Sequence, residues 1–121
     1  MTMTSTVDDC TVVDGVDEAA SLFRGLGDPA RLAIVRRLAA GEQRVVDLTA
    51  HLGLAQSTVS AHCACLRGCG LVESRPAGRS TMYSLAASTE LLDLLAAAER
   101  LLSATGSVVA LCPASGTAAN R

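Results

Sequence analysis

The sequence predicts a mainly α-helical domain with one β-hairpin. Three observations lead there. Half of the 121 residues are apolar but only 2% are aromatic, so a core must be built from Leu, Val and Ala. Glycines and an Asp-Pro pair cut the chain into helix-length pieces. Two short runs of strand-forming residues flank a Pro-Ala-Gly sequence late in the chain.

Residues 1–13 are polar and acidic without a period and read as a mobile arm carrying Cys10. From Glu18 to Gly25, with Leu22, Phe23 and Leu26 at helical spacing, the pattern predicts a first helix ended by Gly25-Leu26-Gly27. Asp28-Pro29 is a strong start signal, Asp as the N-cap and Pro in the first turn. The helix it opens runs to about Ala40, with Leu32, Ile34, Val35 and Leu38 apolar and Gly41 as its stop. Val45–Leu52 is a short helix closed by Gly53. A tight turn, Gly53 to Gln56, leads into a helix from about Ser57 to Gly68. Two short helices joined by a turn of this length define a helix-turn-helix, the second helix being the one that enters the DNA major groove. Val59 and Leu66 then face the core, and one of Ser57, Thr58 and Ser60 is expected to cap the helix. Leu71–Arg75 and Ser80–Leu85 are two strands joined by Pro76-Ala77-Gly78, in the place of a wing. A last helix from about Ser88 to Ser103 carries Leu91, Leu92, Leu94, Leu95, Leu101 and Leu102, more apolar surface than one small domain needs. The expected organisation is an arm (1–13), a winged helix-turn-helix domain (14–103) that forms a homodimer through its first and last helices, and a flexible tail (104–121) carrying Cys112.

The chain has ten Arg, no Lys, and a formal net charge of −2. That balance is unusual for a nucleic-acid-binding domain, but its distribution is uneven. Residues 56–84 hold Arg67, Arg75 and Arg79 against Glu73 alone. Such a local basic patch is what phosphate contact requires. The DNA-contacting residues expected are Gln56, Ser57, Thr58, Ser60, Ala61 and His62 at the front of the helix, with Arg67, Arg75 and Arg79 on or near the wing.

Three of the five cysteines, Cys63, Cys65 and Cys69, fall within seven residues. No signal-peptide pattern opens the chain, and no run reaches the roughly 18 apolar residues of a membrane span. A cytoplasmic protein without membrane attachment is therefore expected, and there clustered thiols read as metal or redox groups. Cys65 and Cys69 are spaced i, i+4 and share a helix face. Cys63 is about 200° round from Cys65 and reads as a packing residue. Two thiolates leave a thiophilic ion unsaturated, and Cys112 on the tail is the natural third. Three sulfurs suit Cd(II) or Pb(II), and also As(III) or Hg(II). An enzyme is not expected: no Cys-x-x-Cys follows a strand, no general base is paired with a thiol, and there is no Gly-rich phosphate loop.

The residues Leu26–Leu32, Leu48–Leu54, Gln56–His62, Gly70-Leu71-Val72 and Gly78–Leu85 together resemble the ArsR/SmtB family of dimeric metal-sensing repressors. The likeness covers roughly residues 18–103. The run Cys65 to Leu71 is similar to its cadmium- and lead-sensing branch. The resemblance implies that the apo dimer binds a palindromic operator, and that Cys65, Cys69 and a tail cysteine, matched here by Cys112, bind the metal and release the DNA. In that branch the tail cysteine comes from the partner protomer. A repressor sensing As(III) or thiol oxidation through the same cysteines is the alternative.

Overall fold

A computed structural model describes residues 15–111. The arm with Cys10 and the tail from Cys112 onward lie outside the described residues. The order is α1 (Val16–Leu26), α2 (Pro29–Ala39), β1 (Gln43–Arg44), α3 (Val45–Leu52), α4 (Gln56–Gly68), β2 (Val72–Ala77), β3 (Ser80–Leu85) and α5 (Ser88–Ala104). The strands form one antiparallel sheet in the order β1-β3-β2. This is a winged helix-turn-helix, with α3 and α4 as its two helices and β2-β3 as the wing.

The Asp-Pro start forms as its chemistry dictates. The Asp28 carboxylate accepts from the backbone N–H of Ala30 at 2.8 Å and of Arg31 at 3.1 Å, and Pro29 opens α2. Gly53 closes α3 in the left-handed conformation, φ 68°, where a side chain would be strained. One fully buried row seats α4 in the core: Val59, Cys63 and Leu66, at i, i+4 and i+7. They meet Ile34 and Val35 of α2 and Leu48 of α3, which are also fully buried. Leu91 and Leu95 are the buried residues of α5.

Several details differ from the sequence expectations. Gly25 lies inside α1, and Gly27 is the C-cap. The hairpin turns at Gly78-Arg79, with Gly78 at φ 65°. Pro76 sits within β2 opposite Thr81, which is tolerated because β2 is an edge strand and its missing N–H removes no interior bond. The two-residue strand β1 is an addition that the sequence does not predict; Gln43 pairs with Tyr83 and Arg44 with Met82. No Ser or Thr side chain caps α4, whose N-cap is Ala55.

Beyond α5 the chain turns at Gly106 and doubles back. The Ser107 N–H donates to the Leu102 carbonyl at 2.8 Å, and the Leu111 N–H donates to the Glu99 carboxylate. Phe23 on α1 is 58% exposed and Leu101 on α5 is 67% exposed; Val16, Leu102, Val108 and Val109 add further exposed apolar surface. Among the described residues no helix is long and apolar enough to cross a membrane.

The Asp28 cap has a pH signature. Its carboxyl is held below the usual range, first by the Arg31 N–H, while partial burial opposes the shift and the Ala30 N–H and the His62 and Arg31 charges add to it. A lowered folded value stabilises the fold above the unfolded carboxylate pKa of about 3.9, and that contribution is lost as pH falls through the folded value. Asp28→Ala should lower the thermal midpoint at neutral pH, with the gap to the parent closing below about pH 4. Asp28→Asn, which still caps, should keep most of the midpoint at pH 7. Equal midpoints for Asp28→Ala and the parent at pH 7 would remove the cap from the account.

Candidate DNA interface and thiol site

Seating Val59, Cys63 and Leu66 inward decides what α4 shows outward. Gln56, Ser57, Thr58 and Ala61 are exposed in its first half, and Ser60 is half-buried. With Ala55 as a cap that makes no side-chain bond, the hydroxyls of Ser57 and Thr58 make no hydrogen bond among the described residues. The front of α4 therefore presents a small, polar, uncommitted surface of the kind that fits against base edges and phosphates.

His62 has another setting. Its Nδ1 lies 3.2 Å from an Arg31 guanidinium nitrogen, and its Nε2 lies 4.0 Å from Asp28 Oδ1. Arg31 also donates to the Gly25 carbonyl at 2.6 Å and the Arg24 carbonyl at 3.2 Å. Arg31 thus ties the C-terminal carbonyls of α1 to the middle of α4, and His62 is a partner in that tie. In the sequence Arg31 is legible only as part of the start of α2; no local signal shows that a side chain there spans three helices. His51 is paired with Arg37 of α2.

The three wing-side arginines are not equivalent. Arg67 donates to the Ser74 hydroxyl at 3.1 Å, bracing α4 against β2. Arg75 is held by both carboxylate oxygens of Glu42, at 3.1 and 2.9 Å. That pairing lowers the Glu42 carboxyl pKa, led by the hydrogen bond. Arg79 stands exposed at the hairpin turn and makes no hydrogen bond or ion pair among the described residues.

The cysteines divide by environment. Cys63 is fully buried, and burial pushes its thiol up to about 11, with Arg67 opposing. That is the packing role expected of it. Cys65 is exposed. Cys69 is the C-cap of α4, and its N–H donates to the Cys65 carbonyl at 3.1 Å, so the helical turn between the two is intact. The Cys69 thiol turns toward α1: its Sγ is 3.9 Å from the Ser21 carbonyl, and a Cβ placed on Gly25 would come within 2.8 Å of it. Gly25 is thus the notch that admits this thiol between the helices. Beside it is an open cleft of about 320 Å³ lined by Asp17, Glu18, Ser21, Leu22, Gly68 and Cys69.

Two free thiols one turn apart, one exposed and one at the edge of an open cleft, have the donor chemistry and access that a thiophilic ion needs. Among the described residues no three His, Cys, Asp or Glu side chains form a metal-holding group. Cys112, the expected third ligand, lies outside them, as does Cys10.

A winged helix-turn-helix with an open recognition surface defines a class of protein, the winged-helix transcriptional regulators. Comparison with known proteins narrows it. Residues 28–74 match the profile of the bacterial regulatory protein arsR family. The chain is 49% identical over 69 residues to the HTH-type transcriptional regulator CmtR of Mycobacterium tuberculosis, a match covering 57% of this chain and 58% of that protein. The match thus spans little more than half the length of this curated relative. Among solved structures, HlyU from Vibrio cholerae N16961 superposes with a TM-score of 0.65 at 31% identity, covering 74% of this chain and 97% of that one. The homodimeric winged helix-turn-helix DNA-binding domain Mb0332 from Mycobacterium bovis, a possible ArsR-family transcriptional regulator, gives 0.65 at 28% identity over 79% and 89% of the chains. The chain belongs to the arsR family of bacterial regulatory proteins.

Proposed function

We propose that the protein is a metal-responsive, DNA-binding transcriptional repressor and not an enzyme. The observation that carries this reading is the division of one helix. The first half of α4 exposes Gln56, Ser57, Thr58 and Ala61, with Ser60 half-buried, and its end carries the free thiols of Cys65 and Cys69; the first set suits DNA and the second a soft metal. The apo form binds a palindromic operator with one α4 per half-site. His62, tied to Arg31, sets the position of α4 and lies at the edge of the DNA surface. Arg67, Arg75 and Arg79 sit on the wing side of that surface.

Cys65, Cys69 and Cys112 hold the effector, Cd(II) or Pb(II). Three thiolates and one divalent cation sum to a charge of about −1, placed on an element pressed against phosphates, so the sign favours release. As(III), or oxidation of the same thiols, is the second reading, supported by the exposure of Cys65. The protein acts as a homodimer in the cytoplasm. The support for a dimer is the apolar surface left open on α1 and α5, Phe23 and Leu101 above all, which a monomer would leave in water.

Two measurements test this reading. Sedimentation at micromolar concentration should give about twice the 12.3 kDa of one chain. A monomer that still binds operator would contradict the dimer. Cd(II) titration, followed by the thiolate-to-metal charge-transfer band, should rank the cysteine variants. Cys65→Ser and Cys69→Ser should abolish tight binding. Cys112→Ser should leave a weaker two-sulfur site that no longer releases DNA, and Cys63→Ser should change little. Loss of binding in Cys63→Ser, with Cys112→Ser behaving like the parent, would move the site wholly into the α4 region.

A further inference from the structure

The wing turn and the starts of α3 and α4 surround a groove of about 560 Å³, bordered by Arg44, Gln56, Gly78, Arg79, Ser80 and Thr81. Arg44 is the unforeseen member. It ends β1, the strand the sequence does not predict, and is the N-cap of α3. Arg44 and Arg75 both pair with Met82, from opposite sides of β3, so the three form one cross-strand row. The neighbouring row, Gln43, Tyr83 and Ser74, includes the buried Tyr83 and so belongs to the core face. Arg44 therefore leaves the sheet on the face away from the core.

We propose that Arg44 and Arg79 clasp the phosphate backbone of duplex DNA in this groove, beside the base-reading front of α4. The inference rests on the DNA-binding reading above and adds a residue to it. Its first support is the state of the arginines. The Arg75 charge is offset by Glu42, and Arg67 is engaged with Ser74. Arg44 and Arg79 are exposed and make no hydrogen bond or ion pair among the described residues. Two free guanidinium forks on one groove match phosphate oxygens in charge and geometry. The second support is Ser80, a groove residue whose hydroxyl oxygen is buried without a hydrogen-bond partner among the described residues. A turn of the Ser80 side chain toward the groove would give that proton a phosphate acceptor. The third is that α3 and α4 both begin here with caps, Arg44 and Ala55, that make no side-chain bond, so their first-turn N–H groups add positive potential. Asp47, in the first turn of α3, is not among the residues lining the groove.

The test is the salt dependence of binding to a mixed-sequence 30-base-pair duplex, since phosphate contacts do not depend on sequence. Removing one phosphate-binding cation should flatten the slope of log K against log salt by about 0.9. Arg44→Gln and Arg79→Gln should each show that change, the double variant about twice as much, and Arg44→Lys should keep the parent slope. In the unmodified protein, the duplex should also protect Arg44 from phenylglyoxal, read by peptide mass; this measurement does not depend on how the variants fold. A parent slope in Arg44→Gln, or Arg44 left unprotected while Arg79 is shielded, would overturn the assignment. Failure of the parent to bind duplex at low salt would instead overturn the DNA-binding reading itself.

Discussion

Everything functional in this fold depends on how α4 is seated. Val59, Cys63 and Leu66 form a single buried row, and full burial of a side chain such as Leu66 contributes roughly 1.5–3 kcal/mol. A helix held this way cannot rotate without bringing polar residues into the core. Its outward face is thereby fixed, with Ser57, Thr58 and Ala61 toward one end and Ala64, Cys65 and Gly68 toward the other. The buried thiol of Cys63 belongs to the anchor, and the exposed thiol of Cys65 belongs to the surface. Two residues separate a buried thiol from an exposed one.

A second set of interactions joins α4 to α1. Arg31 links the carbonyls of Arg24 and Gly25 to His62, and the Cys69 thiol fills the notch left by Gly25. The end of α4 that carries the thiols is thus packed on the helix that exposes Phe23. Under the proposed function, drawing Cys69 toward a metal disturbs the same packing that positions α1. On that reading the DNA surface, the thiols and the open apolar face are adjacent in this small domain, and metal binding would have a short route to both DNA affinity and dimer geometry.

Much of this is legible in the sequence because it follows local rules. Asp28-Pro29, Gly53 and the 59/66 spacing are short-range signals, and the structure realises each of them. The limits of α3 match in full, and those of α2 and α4 within a residue. What is not legible depends on residues far apart in the chain. Pro76 reads as a turn residue because the edge position of β2 is known only once the sheet is assembled. β1 is two residues long and has no period to read. Counting charge over residues 56–84 gives a basic patch, but Glu42, fourteen positions upstream of that window, neutralises Arg75, and Arg44, twelve upstream, adds a free cation. The cysteine pair is readable as a spacing; that Cys69 rests on Gly25 is not.

Under the proposed function one helix serves DNA and metal in opposition. Linkage requires the antagonism to be reciprocal: whatever factor the metal takes from DNA affinity, DNA must take from metal affinity. The direct measurement starts from an operator selected by the apo protein out of random duplexes. Cd(II) affinity is then measured with and without that duplex, and duplex affinity with and without Cd(II). The same factor is expected in both directions, on the order of 5- to 150-fold, corresponding to about 1–3 kcal/mol of coupling. Equal duplex affinity with and without stoichiometric Cd(II), or tighter DNA binding by the metal-loaded protein, would contradict it.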